Sequence, residues 1–272
     1  MSDAPIELEQ AVAANRLAWD DSARLHKDNA LWQELTAGFA QPGFSTFDAT
    51  MTQTLEGFEL QGLFGVQIGC NNGRETLSLA AFGAERCLGI DQSAEFLKQA
   101  EILKGIAGSD CEFLCADIYS LPFGTRRDFD FAVITIGVLN WMPDLGRFFQ
   151  AVARLLRPGG RLVIYETHPV LEMFEPASKQ PHLPAYSYFS EGPAVEEQAI
   201  TYDGSAKQAA PPSYWYSHKM SDVFMGLIHA GMIISRFEEH PHSNRETCFD
   251  VYKDQRAQLP MSYTVVAGKA AE

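Results

Sequence analysis

The chain has 272 residues, of which 46% are hydrophobic, enough apolar material for one core with an elaboration. Its 21 Lys and Arg residues are outnumbered by 35 Asp and Glu residues, so the formal net charge is −14. A surface this acidic repels phosphate backbones and anionic lipids, which argues against nucleic acid or a membrane surface as a partner.

The first residues, MSDAPIELEQ, lack the features of an export signal, because they contain neither a basic nor an apolar segment. No run in the chain approaches the roughly 18 apolar residues of a membrane span. The five cysteines are odd in number and form no C-x-x-C pair, so no disulfide framework is expected. These features predict a cytoplasmic protein.

Residues 1–60 are predicted to be mainly helical, and strands then alternate with helices. Strands are predicted at 64–68, 86–90, 111–115, 129–136 and 161–166, and helices at 74–83, 93–106 and 145–156. Apolar strands that alternate with helices are typical of a parallel sheet covered on both faces. The sequence therefore predicts a doubly wound α/β fold.

The alternation stops at Thr167, and from there to about residue 220 the chain is rich in proline and aromatic residues. A connection that long usually forms a lid or a binding element. A helix over about 220–230 and strands at 232–239 and 261–268 follow. We therefore predict a single domain over 1–272, composed of a helical cap (1–60), a core (61–166), a lid (167–220) and a C-terminal part (221–272).

A glycine turn follows the first predicted strand, in the stretch VQIGCNNGRETLSLA at 66–80. Gly69 ends the strand and Gly73 precedes the helix, as in α/β proteins that build a pocket for a nucleotide-like ligand here. The dinucleotide fingerprint G-x-G-x-x-G and the lysine of a phosphate-binding loop are both absent. By itself this turn does not identify a ligand.

Two aspartates follow the next two predicted strands. Asp91 ends the second strand in CLGID, where a carboxylate can accept both hydrogens of a ribose diol. Asp117 follows the third strand in LCADIY, where it can accept from the exocyclic amine of adenine, with Ile118 against the ring. Each could instead be a helix N-cap, a role that suits Asp. Their occurrence at two successive strand ends favours a nucleoside site.

With these motifs in order, residues 60–166 resemble the class I S-adenosylmethionine-dependent methyltransferases. The glycine turn, CLGID, CEFLCADIYSLPF and the run from FDFAVITI to RPGGRLVIYE match that family's successive motifs. NRLAWDDSARLH, HPVLEMF and YWYSHKMSDVFMGLIHAGM resemble a bacterial small-molecule branch without an assigned substrate. The resemblance implies a mostly parallel seven-stranded sheet with a terminal reversed hairpin, a helical cap and a lid inserted after strand five.

The resemblance also implies S-adenosylmethionine as the cofactor and a small-molecule methyl acceptor, whose identity the sequence leaves open together with the oligomeric state. The implied cofactor-binding residues are Gly69, Cys70, Asn71, Gly73, Asp91, Gln92, Asp117, Ile118, Thr135 and Gly137. Two positions depart from the family pattern. Gln67 replaces an acid and lacks the charge that helps to hold the methionine ammonium. Asn71 replaces a glycine but tolerates left-handed backbone.

Candidate acceptor contacts come from the cap and the lid. An aromatic lining can bind a flat or apolar molecule and faces a sulfonium favourably. The residues expected to supply such contacts are Trp19, His26, Tyr186, Tyr188, Trp215 and Tyr216, although the same rings could form the packing of the cap and the lid. We assign a general base to His168 or His218.

Other functions find less support in the sequence. No metal site is expected, because His240, His242 and Cys248 lack a standard zinc spacing. A nicotinamide oxidoreductase would require a phosphate site that the glycine turn does not offer. The alternative that stays open is a protein that binds S-adenosylmethionine or its demethylated product without catalysis, since the sequence carries no single catalytic signature.

Overall fold

A computed structural model of the protein describes residues 6–202 and 207–271. Residues 1–5 of the predicted cap, 203–206 of the predicted lid and the last residue, 272, lie outside the described residues. The helices are α1 (Leu8–Ser22), α2 (Ala30–Phe39), α3 (Ala49–Glu56), α4 (Arg74–Ala81), α5 (Ala94–Ala107), α6 (Leu145–Leu155) and α7 (Met220–His229). Within these ranges no helix has the length and apolar character needed to cross a membrane.

The strands are β1 (Phe64–Ile68), β2 (Arg86–Asp91), β3 (Glu112–Cys115), β4 (Phe129–Thr135), β5 (Leu156–Thr167), β6 (Pro193–Gln198), β7 (Ala209–Tyr216), β8 (Met232–His240) and β9 (Ser262–Lys269). Seven of them form one sheet in the order β3-β2-β1-β4-β5-β9-β8. β9 is antiparallel to β5 and β8, and the other pairs are parallel. The doubly wound sheet with a reversed terminal hairpin, as the sequence predicted, is confirmed.

Helices cover both faces of this sheet. Consecutive side chains of a strand point to opposite faces, so an apolar strand contributes to the packing on both sides. In β4, Ala132 and Ile134 pack into the cluster that contains α6 and α7, while Phe131 and Val133 pack into the cluster beneath α2, α3 and α4. From β1 the chain first continues to β2 and β3 on one side of the sheet and then returns to β4 on the other side of β1, so the order of the strands reverses at β1. A ligand crevice is expected at the carboxyl ends of the strands around such a reversal.

Two segments differ from the predicted elements. β5 begins at Leu156, so Pro158 to Gly160 lie within the strand, where the pairing with β4 shifts between Phe129 and Phe131. The insertion after β5 contains β6 and β7, which form a two-stranded antiparallel sheet. Pro211 and Pro212 obscured this second strand in the sequence, since proline is depleted in strands.

The N-terminal helix and the insertion pack on each other across the carboxyl edge of the large sheet. The side chain of Asn15, fully buried in α1, accepts a hydrogen bond from Tyr214 N at 2.7 Å and donates one to Tyr214 O at 3.0 Å. Ser22 Oγ accepts from Ile200 N at 2.9 Å. We call this layer, made of α1, residues 199–202 and β7, the roof. Ser93 at the start of α5 donates to Asp20 Oδ1 at 2.7 Å and ties the roof to the core.

Candidate functional site

A cavity of about 380 Å³ lies between the roof and the carboxyl ends of β1, β2 and β4. Its volume falls within the range of pockets that bind small molecules and cofactors. Most of the predicted cofactor-binding residues line it, namely Gly69, Asn71, Asp91, Gln92, Asp117, Ile118, Thr135 and Gly137. Cys70 and Gly73 do not line it.

The glycine turn after β1 is compact and left-handed. Gly69 has a φ of 68°, and a Cβ built there would lie 2.7 Å from a methyl group of Val138. Asn71 has a φ of 50°, the left-handed conformation expected of it. Gly73 faces away from the cavity, since its Cβ would lie 2.6 Å from the Phe113 ring. Gly69 therefore shapes the cavity wall, while Gly73 permits close packing behind it.

Asp91 connects the glycine turn to the start of α5. Its Oδ2 accepts from Asn71 N at 2.7 Å, and its Oδ1 accepts from Ser93 N at 2.8 Å. The N-cap of α5 is Ser93 rather than Asp91, because Ser93 Oγ accepts from Phe96 N. Burial raises the pKa of Asp91, and the backbone donors, those of Ser93 and Asn71 first, oppose that rise. Each carboxylate oxygen keeps a lone pair for a second donor, so Asp91 can hold the turn and a ligand together.

Asp117 is a helix N-cap and also lines the cavity. Its Oδ1 accepts from Tyr119 N at 2.9 Å, which makes it the N-cap of the short 3-10 helix at 118–120. It also lines the cavity beside Ile118. Burial raises the pKa of this carboxyl group. The capping bond orients Asp117 without using all of its acceptor sites.

Gln67, the neutral residue in β1, is held by two hydroxyl groups. Thr76 Oγ1 donates to Gln67 Oε1 at 2.6 Å, and Gln67 Nε2 donates to Thr135 Oγ1 at 3.3 Å. The side chain is only 1% exposed. Both polar ends are therefore used to join β1, α4 and β4, and the residue brings no charge to the cavity.

Glu166, the penultimate residue of β5, was not singled out from the sequence. Its carboxylate accepts hydrogen bonds from the backbone N–H groups of Gly137, Val138 and Leu139, which follow β4. Burial raises its pKa to about 7, although these three donors act in the opposite direction. The turn that it holds contains Ile136 at a φ of 31° and Gly137 at 83°. An acid at the end of the apolar run RLVIYE was the signal available in the sequence.

At the cavity wall, Trp141 contacts two other tryptophans. Trp141 lies 5.2 Å from Trp19 and 5.0 Å from Trp215 between ring centroids, edge to face in both cases. All three rings line the cavity. Trp19 and Trp215 were among the predicted acceptor contacts, whereas Trp141, in the turn after β4, was not.

The other predicted acceptor residues do not line the cavity. His26 Nε2 lies 2.9 Å from Ile200 O, in the packing of the roof. Tyr188 Oη accepts from Met220 N at 3.0 Å, and the Tyr216 ring stacks on His218. Tyr186 is 55% exposed on the outside of the insertion.

The two histidines predicted as bases also lie outside this cavity. His168 is buried, and its Nε2 lies 3.0 Å from Glu239 Oε1 on β8. His218 Nε2 lies 2.9 Å from Met142 O, and burial lowers its pKa. His218 lines a smaller cavity of about 10 Å³ that shares Asn140, Thr167 and Glu172 with the large one. In the described part of the chain, no group of His, Cys, Asp and Glu residues is placed to hold a metal ion.

A charged cluster lies where the glycine turn meets α4. Glu75 Oε1 accepts from Arg74 Nε at 2.9 Å and from Arg245 Nη2 at 2.8 Å. Burial acts to raise the pKa of Glu75, but the two guanidinium groups hold it at about 2. The Arg74 guanidinium lies 4.8 Å from the ring of Tyr202, whose hydroxyl donates to Asn71 Oδ1 at 2.7 Å. This cluster joins the core, the roof and the segment between β8 and β9, a contact that the sequence did not reveal.

Comparisons with known proteins agree with this geometry. A family profile described as a methyltransferase domain matches residues 66–164. A demethylmenaquinone methyltransferase of Lactococcus lactis is 34% identical over 123 residues, which cover 44% of this chain and 48% of the relative. The chain thus spans about half the length of that curated relative.

Solved structures share the fold over a larger part of the chain. An S-adenosylmethionine-dependent methyltransferase from Mesorhizobium loti has a TM-score of 0.59 at 23% identity, covering 81% of this chain and 98% of the other. Magnesium protoporphyrin IX methyltransferase from Synechocystis, solved with bound S-adenosylhomocysteine, has a TM-score of 0.54 at 17% identity and covers 96% and 97%. Together with the strand order, these findings show that the chain has the class I methyltransferase fold and that residues 66–164 match a methyltransferase domain.

Proposed function

We propose that this protein transfers a methyl group from S-adenosylmethionine to a small-molecule acceptor. The observation that carries the proposal is the placement of Asp91 and Asp117, at the ends of adjacent strands, in the wall of one cavity closed by a roof that includes Trp19 and Trp215. One side of the cavity thus offers hydrogen-bond acceptors for the ribose hydroxyls and the adenine amine, and the other side offers aromatic surface.

The described residues fit this cofactor on three counts. Asp91 keeps free acceptor sites for the ribose diol after bonding to Asn71 and Ser93. Asp117 is oriented toward the cavity beside Ile118, where the adenine amine and ring would lie. Gly137 lines the cavity, and a Cβ on it would meet no atom within 4 Å, so a glycine here leaves room for a ligand.

The cofactor, when bound, supplies a methyl group activated by a positively charged sulfur. Attack on such a methyl group demands chiefly alignment of the acceptor and exclusion of water. In this chain Glu166 fixes the turn that carries Gly137. The tryptophans Trp19, Trp141 and Trp215 cover the cavity and present ring faces or edges that favour a flat or apolar acceptor.

For an acceptor that must lose a proton, we propose His218 rather than His168 as the base. His218 lines the small cavity, which shares the lining residues Asn140 and Glu172 with the large cavity. His168 is paired with Glu239, on the edge strand β8. The lowered pKa of His218 keeps its imidazole neutral near pH 7, the state that a base requires.

Calorimetric titration with S-adenosylhomocysteine tests the proposal. We expect the wild type to bind and Asp91→Asn to bind at least about 10-fold more weakly, since a charge-assisted pair of hydrogen bonds is lost. Asp254→Asn, an exposed position far along the chain, is the control with the same change of charge. A folded wild type that does not bind would overturn the proposal.

Transfer itself is tested separately, with methyl-labelled cofactor and fractionated metabolite extracts. Label that enters a small molecule in the presence of the wild type, and fails to do so with Asp91→Asn, supports the enzyme. Binding without any transfer across such fractions would instead favour a protein that only binds the cofactor or its product.

A further inference from the structure

Glu246 is a carboxylate in the cavity wall for which the described residues provide no hydrogen bond. It lies in the segment between β8 and β9 and lines the cavity near Cys248 and Phe249. Burial raises its pKa, and Arg74 and Arg245 are the charged groups that oppose this rise. A carboxylate whose acceptor sites are not used within the protein has them available for the N–H donors of a ligand.

Arg74 brings a positive charge to the same end of the cavity. It is the first residue of α4, directly after the glycine turn, and it lines the cavity. Its Nε is bonded to Glu75, and its guanidinium lies over the ring of Tyr202. Because the guanidinium carries five N–H donors, most of them remain for a ligand after the bond to Glu75.

The position of Glu246 is fixed by the residue before it. Arg245 has a φ of 77°, and its Nη1 donates to Thr46 O at 2.8 Å while its Nη2 bonds to Glu75. These bonds hold the segment between β8 and β9 against the first turn of α4. They place Glu246 near Arg74, although the two residues are 172 positions apart in the sequence (246 − 74).

We infer that Glu246 and Arg74 bind the amino-acid end of S-adenosylmethionine, Glu246 holding the α-ammonium and Arg74 the α-carboxylate. The inference rests on the proposed function and extends it to two residues outside the nucleoside site. An α-amino acid presents three N–H donors beside a two-oxygen acceptor, and a carboxylate beside a guanidinium is the complement of that pair.

This assignment also accounts for Gln67. The neutral amide of Gln67 is bonded to Thr76 and Thr135 and cannot contribute a negative charge. In our proposal the charge for the ammonium comes instead from the C-terminal segment, which sequence motifs around β1 do not include. Asp91 and Asp117 bind the adenosine end of the cofactor in the proposed function.

Binding measurements with two ligands test the role of Glu246. S-adenosylhomocysteine carries the amino-acid end, whereas 5′-methylthioadenosine has the nucleoside and sulfur without it. By calorimetry we expect Glu246→Gln to weaken the binding of S-adenosylhomocysteine about 10- to 100-fold, as for loss of a charged hydrogen-bond partner. Binding of 5′-methylthioadenosine should stay within about twofold of the wild type. Asp254→Asn is the matched control and should leave both affinities unchanged.

The outcomes separate this inference from the proposed function. If the wild type binds S-adenosylhomocysteine and Glu246→Gln binds it equally well, the inference is wrong while the proposed function stands. Equal weakening of both ligands would also overturn it, because the effect would not come from the amino-acid end. Failure of the folded wild type to bind either ligand would overturn the proposed function and this inference with it.

The role of Arg74 is separated with decarboxylated S-adenosylmethionine, which keeps the amine and lacks the carboxylate. Arg74→Gln should weaken the binding of S-adenosylhomocysteine but not that of the decarboxylated cofactor, whereas Glu246→Gln should weaken the binding of both. Since Arg74 is bonded to Glu75, its replacement also affects stability. The comparison of two ligands on the same variant remains decisive, because a general loss of folded protein would lower both titrations alike.

Discussion

Glu166 at the end of β5 accepts a hydrogen bond from Val138 N at 2.9 Å and so joins β5 to the turn after β4. The pKa of this buried carboxyl group is raised from about 4.5 to about 7. In that interval the folded protein keeps the proton while the unfolded chain releases it, so the free energy of unfolding must fall as the pH rises.

The first prediction concerns this pH dependence. Between about pH 5 and pH 7.5 the wild type should lose up to about 3 kcal/mol of unfolding free energy through Glu166, an upper limit set by 1.36 kcal/mol per unit of pKa. Glu166→Gln removes the titrating group and should flatten this part of the curve. Urea unfolding at several pH values measures it. A variant with the same slope as the wild type would show that Glu166 does not titrate in this range.

A second prediction contrasts two glycines of the cavity wall. Gly69→Ala places a Cβ 2.7 Å from Val138 at a positive φ, so it should lower the free energy of unfolding by about 2–4 kcal/mol. Gly137→Ala has the same backbone strain but open space around its Cβ. It should lose only about 1 kcal/mol while weakening cofactor binding, because the methyl group enters the cavity. Thermal unfolding and calorimetry on both variants separate stability from affinity.

The third prediction concerns the roof. Asn15→Leu leaves the backbone N–H and C=O of Tyr214 without their partners in a buried place, which should lower the unfolding free energy by about 2–4 kcal/mol. Amide exchange should accelerate first in β7, ahead of the large sheet. Asn15→Asp, which keeps the acceptor for Tyr214 N, should show a smaller effect on that amide. Uniform acceleration across the sheet would contradict a local role.

A fourth prediction compares the two histidines. His218→Gln should reduce methyl transfer to an acceptor that must lose a proton by about 10²-fold, with cofactor affinity unchanged. His168→Gln breaks the contact with Glu239 and should affect stability rather than turnover. Rates measured with labelled cofactor, beside thermal unfolding, distinguish these effects. Equal rates for His218→Gln and the wild type would remove His218 as the base.

Features governed by neighbouring residues were predictable from the sequence. The apolar strands, the left-handed turn at Asn71 and the aspartates at strand ends depend on local pattern, and the structure brings Asp91 and Asp117 to one cavity. The resemblance to a known family then supplied the seven-stranded sheet and its terminal reversed hairpin, which periodicity alone does not give.

Contacts between distant segments were not predictable in the same way. His168 follows β5 and was predicted as a candidate general base, but its ring lies against Glu239 of the terminal hairpin. Trp141 and Glu246 lie in turns whose sequences carry no periodic signal, so only their neighbours in space reveal that they line the cavity. Proline in β7 concealed the strand that Asn15 recognises.

The two hydrogen bonds between Asn15 and Tyr214 join segments 199 residues apart. Because each segment supplies the hydrogen-bond partners of the other, α1 and the insertion form one structural unit that must be exchanged as a whole. An insertion grafted from a relative to alter acceptor choice will seat correctly only if the matching N-terminal helix is transplanted with it, so chimeras should be built in pairs of segments.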